Sequence, residues 1–169
     1  AHSDPESRQA NLHIVLSNKK PASLCAKRLF PIRYQPACSP ELYKEWRDKT
    51  PADLNNATLL VHESRPDAWR QWFNDVNVAL QTPRQTIMVD SMYGLARATQ
   101  QGAGIALIPL PVSQQWFANG ELVPLFDNQL VGSDYYWLTT NEPLTEESAD
   151  GSALVTLWNW VVAEFSNDG

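Results

Sequence analysis

The stretch TIMVDSMYGLARATQQGAGIALI, residues 86–108, holds a strand, a helix and a strand in succession. Thr86 to Val89 is a short run of β-branched and apolar residues that reads as a strand. Asp90 and Ser91 follow, and their short oxygen-bearing side chains suit the N-cap of a helix that runs to about Gln101. Gly102 stands where a residue of left-handed conformation ends a helix, and Ile105 to Ile108 supplies the next strand. A strand–helix–strand unit makes its two strands parallel and lays the helix on a face of their sheet. The chain is therefore expected to be α/β.

Upstream, Thr58 to Glu63 (TLLVHE) is a strand, and the turn from Ser64 to Asp67 leads into Trp69, Trp72, Phe73 and Val76, the i, i+3, i+4, i+7 stripe of a helix. Ser39-Pro40-Glu41 starts a short helix through about Trp46, and Thr50-Pro51-Ala52-Asp53 starts another of about one turn. Asn11 to Ser17 reads as a strand followed by a polar loop, whereas Leu24 to Ala37 carries two apolar runs split by Pro31 and is expected to cross between structural regions. We place one hinge near Pro31 to Arg33. Downstream, a helix from about Pro111 to Asn119 ends at Gly120. Glu121 to Phe126 returns as a strand whose Pro124 marks a second hinge. Tyr135 to Thr140 is the last strand, and Leu154, Leu157, Trp158, Val161 and Phe165 form the stripe of the last helix.

The 169 residues, 43% of them hydrophobic and 19% charged, are enough to bury a core and lie away from the composition of disordered chains. A formal net charge of −6 argues against direct nucleic-acid binding, which needs concentrated basic surface. The nearest basic grouping, Lys19, Lys20, Lys27, Arg28 and Arg33, reads as a solvated loop and strand edge. No apolar stretch is long enough for a membrane span, and the polar residues 1–10 do not resemble a signal peptide, so a cytoplasmic setting is expected. Cys25 and Cys38 lie in hydrophobic segments without metal or redox spacing, and are expected as buried thiols.

Five segments, taken in order, carry a family resemblance: RLFPIRYQPACSPEL, TPADLNNATLLVHESRPDAWRQWF, VDSMYGLARATQQGAGIALIPLPV, GELVPLFD and YYWLTT. From Phe30 to Thr140 the chain resembles the effector-binding domain of LysR-type transcription regulators, in the branch of the glycine-cleavage activator and the β-lactamase-inducing regulator. The resemblance implies a two-lobed, periplasmic-binding-protein-like (type 2) α/β fold with two hinge crossings and a small-molecule effector held between the lobes. Residues 33–124 would be the second lobe, and 11–32 with 125–169 the first. It also implies DNA contact only through a helix-turn-helix domain that is not in this sequence, and a homo-oligomer is expected. The family's first lobe opens with a strand, helix and strand that residues 1–10 cannot supply. An incomplete first lobe, an exposed sheet edge and self-association are therefore expected.

Within this frame the ligand-binding candidates are Asp90 and Ser91 at a strand–helix junction, where free N–H groups and the helix dipole receive anions. The same junction is equally well explained as a plain N-cap. Ser64 and Arg65 follow a strand at the carboxyl edge of the sheet, where open α/β folds bind ligands, and Arg65 offers a planar donor fork. Arg65 also reads as an exposed loop arginine near Asp67. Tyr136 matches a pocket tyrosine of the β-lactamase-inducing regulators, and strand alternation turns Tyr135 and Trp137 to the other face. A core role for Tyr136 stays open beside it. Asn18 and Lys19 complete the set.

Ser91, His62 and Asp90 include the residue types of a hydrolytic triad, but Ser91 lacks a G-x-S-x-G context and His62 is expected inside a strand. His2, His13 and His62 lack metal-ligand spacing, and neither a metal nor a cofactor is expected. A solute-binding protein of a transport system, and more distantly a serine hydrolase, are the alternatives to a regulator domain.

Overall fold

A computed structural model describes residues 9–81, 83–144 and 149–166, with side chains left out at 149–152 and 165–166. His2 and the side chain of Phe165 therefore lie outside the described residues. The chain divides into two compact units, residues 33–131 and residues 1–32 with 132–169.

The unit of residues 33–131 is built on the expected parallel core. Strands β3 (Thr58–His62) and β4 (Gln85–Val89) pair in parallel, as do β3 and β5 (Ile105–Leu110). The antiparallel partner of β5 is β2 (Cys25–Cys38), whose end also pairs with the two-residue β6 (Val123–Pro124). Helix α2 (Ala68–Asp75) joins β3 to β4, and α3 (Met92–Gln100) joins β4 to β5 across β3. These connections run in opposite directions over the sheet, so right-handed crossovers place α2 and α3 on opposite faces. Every residue of β5 is buried, as expected of a strand covered on both sides.

On the α3 face Leu60, Ala106, Ile108, Leu95, Ala96 and Leu122 form one cluster, against which Trp116 and Phe117 of α4 (Gln114–Ala118) pack. On the other face α2 contributes Trp69, Trp72 and Phe73, whose rings meet at 5.5 to 6.2 Å. Trp69 Nε1 donates to the Leu60 carbonyl at 2.9 Å, and Trp72 Nε1 to that of Asn128 at 2.9 Å, so both indoles are buried with their polar atoms paired. Val76, expected on the helical stripe, caps the C-terminus of α2.

Local grammar explains the remaining boundaries. Ser39 accepts the Leu42 N–H at 3.1 Å to start α1 (Pro40–Trp46), and Asp53 accepts the Thr50 N–H at 2.8 Å at the start of the 3-10 helix Pro51–Asn56, whose six residues make two turns rather than the one expected. Gly102, at φ +82°, ends α3 with its N–H on the Thr99 carbonyl, while Ala103 N–H reaches back to Ala98. Gly104 lies so close to β3 that an added Cβ would stand 2.5 Å from the Thr58 carbonyl oxygen, which brings the starts of β5 and β3 together.

The other unit holds the first part of β2, β1 (Leu12–Ser17), β7 (Leu130–Thr140) from Gly132 onward, and α5 (Ala149–Ser166). β1 pairs antiparallel with β7, Leu16 opposite Tyr136 and Ile14 opposite Leu138, and it ends the strand order, with Ile14 and Leu16 exposed. Helix α5 buries Leu154, Trp158 and Val161. Leu157, expected on the same stripe, is exposed, because i, i+4 and i+7 already fill the buried line.

Three further expectations change. Leu24 to Ala37 is not two runs: β2 passes unbroken through Pro31 and Pro36, since proline's φ is compatible with extended backbone. The 121–126 segment gives only Val123–Pro124 as strand. The second passage between units lies at Val131 and Gly132, inside β7, rather than at Pro124. Gln35 holds the intervening residues to the 33–131 unit, donating to the Phe126 carbonyl at 2.8 Å and accepting from Gln129 Nε2 at 3.0 Å, while Phe126 stacks on Trp72 at 5.8 Å.

Candidate functional site

The carboxyl ends of β3 and β4 stop side by side. His62 is paired with Val89, and the Glu63 N–H then donates to the Val89 carbonyl at 2.9 Å, tying the two strand exits together. Directly beyond that tie come Ser64 and Arg65 from one strand and Asp90 and Ser91 from the other. Four of the seven candidates thus share one edge of one sheet, with Ser64, Asp90 and Ser91 exposed and Arg65 half-buried.

Ser91 is the N-cap of α3, its Oγ accepting the Gly94 N–H at 2.9 Å. That bond uses a lone pair and leaves the hydroxyl proton free to donate. Gly94 is part of the arrangement, because an added Cβ would stand 2.8 Å from Ser91 Oγ and 3.1 Å from Val89 Cγ1. Neither the residue nor its role stood out in the sequence, where a glycine inside a helix reads as a weak point; its place three residues after an N-cap serine was the available signal.

Ser64 is held differently. His62 is not turned into the sheet: it is the last residue of β3, half-buried, and its Nδ1 lies 2.6 Å from Ser64 Oγ and 3.1 Å from Ser64 N. The triad residue types are therefore not joined as a triad requires, since His62 Nδ1 engages Ser64 while Ser91 engages Gly94. The turn after Ser64 is closed by Arg65 N–H on the His62 carbonyl at 2.9 Å and Ala68 N–H on the Arg65 carbonyl at 3.1 Å.

The other three candidates lie in the second unit. Tyr136 is buried, its ring 5.1 Å from that of Phe30, whereas the half-buried Tyr135 faces the Arg28 guanidinium at 4.7 Å. Consecutive tyrosines thus have separate partners, as strand alternation requires. Asn18 and Lys19 are exposed after β1, where the Lys19 N–H donates to Ser17 Oγ at 3.1 Å.

A hollow of about 270 Å³ opens at the opposite, amino end of the parallel strands, lined among others by Trp46, Lys49, Asp53, Arg84 and Gly104, and none of the candidates reaches it. Its lining charges are largely occupied, Lys49 with Glu45 at 3.4 Å and Asp53 with Thr50. The carboxyl edge presents to solvent the exposed Ser91 hydroxyl, the Asp90 carboxylate and the N-terminus of α3.

Among the described residues no helix is long and apolar enough to cross a membrane. Both cysteines are free. Cys38 is buried as expected, while Cys25 is only half-buried.

Comparison with known proteins places this architecture. Residues 5–163 match the model of the LysR substrate binding domain. The HTH-type transcriptional activator AmpR of Enterobacter cloacae is 32% identical over 116 residues, 68% of this chain and 38% of that protein. The HTH-type transcriptional regulator TrpI of Pseudomonas aeruginosa is 32% identical over 104 residues, 60% of this chain and 35% of that protein. The chain thus spans less than half the length of these relatives. Among solved structures, the effector domain of AmpR from Pseudomonas aeruginosa superposes with a TM-score of 0.70 at 24% identity, over 93% of this chain and 73% of that one. The AmpR effector binding domain from Citrobacter freundii gives the same TM-score and identity, over 90% and 74%. The fold is α/β, of the periplasmic-binding-protein-like type 2 class. The chain belongs to the LysR substrate-binding domain family.

Proposed function

We propose that this chain is the effector-sensing part of a cytoplasmic LysR-type transcription regulator. It binds a small molecule, catalyses nothing, and acts on DNA through a helix-turn-helix domain elsewhere in the full protein. The observation that carries the reading is the shared carboxyl edge of β3 and β4, where the Glu63–Val89 tie sets Ser64 and Arg65 beside Asp90 and Ser91. The family match and the two regulator relatives support it. Ser91 donates its free proton, together with the N-terminal amides of α3, to an acceptor on the effector, and Arg65 and Ser64 take polar groups beside it. Tyr136, Asn18 and Lys19 are the contacts proposed on the other unit.

The two compact units are proposed as the family's lobes, with the crossings at residues 32–33 and 131–132. An effector shifts such a protein only by binding one conformation better than another. The regulator is proposed to be a homo-oligomer, and the exposed Ile14 and Leu16 on the terminal strand β1 suit a contact between chains.

A thermal-shift screen against amino acids, aromatic acids and cell-wall peptides tests the reading. A ligand at 100 times its dissociation constant adds about 2.7 kcal/mol to stability. A stabilising compound whose effect vanishes in Ser91→Ala is the expected result; one whose effect is untouched by substitution at Ser64, Arg65, Asp90 and Ser91 contradicts the site. A solute-binding protein of a transport system, the nearest alternative, shares the fold, but both curated relatives described above are regulators.

A further inference from the structure

We infer that His62 decides which hydrogen-bonding group Ser64 presents to a ligand, and that a proton on His62 reverses it, turning Ser64 from an acceptor into an anion-binding donor pair. The consequence for effectors rests on the proposed ligand site, whereas the switch itself stands on the His62–Ser64 geometry. His62 Nδ1 lies 3.1 Å from the Ser64 nitrogen and 2.6 Å from Ser64 Oγ. A backbone N–H can only donate, so Nδ1 must carry a lone pair and the ring proton must sit on Nε2. The Ser64 hydroxyl must donate to the same lone pair, since two lone pairs facing each other at that distance would repel. With a neutral ring, both protons of Ser64 thus point at the imidazole, and only oxygen lone pairs face outward, ready for an N–H or O–H of a ligand.

When Nδ1 takes a proton from solvent it becomes a donor and can no longer accept either bond. Nδ1–H then donates to Ser64 Oγ, the hydroxyl proton swings outward, and the Ser64 N–H loses its partner. Two donors beside an imidazolium are the elements of a site for a carboxylate, sulfate or phosphate group. Ser91 does not change, because its oxygen is occupied by Gly94 N–H whatever the state of His62. On the elements next to His62 in the fold, the charged residues are Glu63, Arg65 and Asp67 on its own turn, Arg70 at the start of α2, which pairs with Asp67 at 3.4 Å, and Asp90 after β4; β5 has none, and α3 none before Arg97. Their field is common to the wild type and a variant that cannot titrate, so a comparison of the two isolates the imidazole. His62 is thus a positioning residue, acting through Ser64.

The test is an NMR titration of the 15N-labelled chain from roughly pH 8 to roughly pH 5, the range in which imidazoles change charge. The Ser64 amide should move with the same midpoint as the His62 ring resonances, and that movement should disappear in His62→Asn, with His62→Gln as the second variant should the first not fold. Sulfate, a dianion throughout this range, should bind about tenfold more tightly at the low-pH end, as one charge-assisted hydrogen bond would give, and should shift the Ser64 amide. Ser64→Ala and His62→Asn should lose that pH dependence. A Ser64 amide that stays still while His62 titrates overturns the switch, as does sulfate binding that is equal at both ends. Neither result touches the effector reading, which fails on its own test, the insensitivity of an effector to substitution at the four carboxyl-edge candidates.

Discussion

A serine that accepts a backbone N–H keeps its own proton for another partner, and Ser91 is such a residue. Ser91→Ala should therefore cost about 1 kcal/mol of stability through the lost cap, and abolish binding of any effector that Ser91 holds. Denaturant unfolding and calorimetry on one preparation separate the two losses. Gly94 makes a sharper case. Alanine normally stabilises a helix interior by about 1 kcal/mol over glycine. At Gly94 the new methyl would collide with Ser91 Oγ at 2.8 Å. Gly94→Ala should therefore destabilise, and a gain in stability would show that the cap tolerates the methyl. Burial pushes the Cys38 thiol up from 9.0 to about 11, because the thiolate would be poorly solvated there. The unfolded chain ionises first, so stability is unaffected below pH 9 and falls as pH rises toward 11, by roughly 2 to 3 kcal/mol. Unfolding measured across this range should lose that slope in Cys38→Ala; an unchanged slope would assign it to other groups.

At the scale of elements, β3 is the member on which the most depends, since α3, β4 and β5 all contact it. Leu60→Ala, at a fully buried position, should cost roughly 2 to 5 kcal/mol in urea unfolding. β1 is the opposite case, a terminal strand with Ile14 52% exposed and Leu16 41% exposed. Ile14→Lys should lower self-association in light scattering while leaving the unfolding midpoint nearly unchanged, since a charge on an edge strand opposes pairing between chains. The parallel core was legible because caps, Gly102 and periodicity all pointed to the same elements. β2 was not: Pro31 looks like a break in one dimension, yet it and Pro36 both fit extended backbone, and only the paired strand shows which ladder bonds are needed. The passage at Val131 was hidden for a related reason. Pro124 is a local signal, whereas the Gln35 bonds to Phe126 and Gln129 join residues distant in sequence.

For the whole molecule, the chain divides into two compact units, residues 33–131 and residues 1–32 with 132–169, and β2 and β7 each run from one into the other. Sequence reasoning placed Ser64, Arg65, Asp90 and Ser91 after the strands that carry them, because an open α/β sheet offers its carboxyl edge to ligands. It missed His62 and Gly94. Their roles depend on a ring turned out at a strand end and on the space beside a cap, which alternation and propensity do not describe. The account rests on that edge being where a small molecule binds. The most direct measurement is a map of backbone amide shifts in the 15N-labelled chain, made with the most stabilising compound from the thermal screen. The account predicts shifts centred on residues 63–65 and 90–94; shifts that spare both segments and centre on the hollow around Trp46, Lys49 and Arg84 would contradict it.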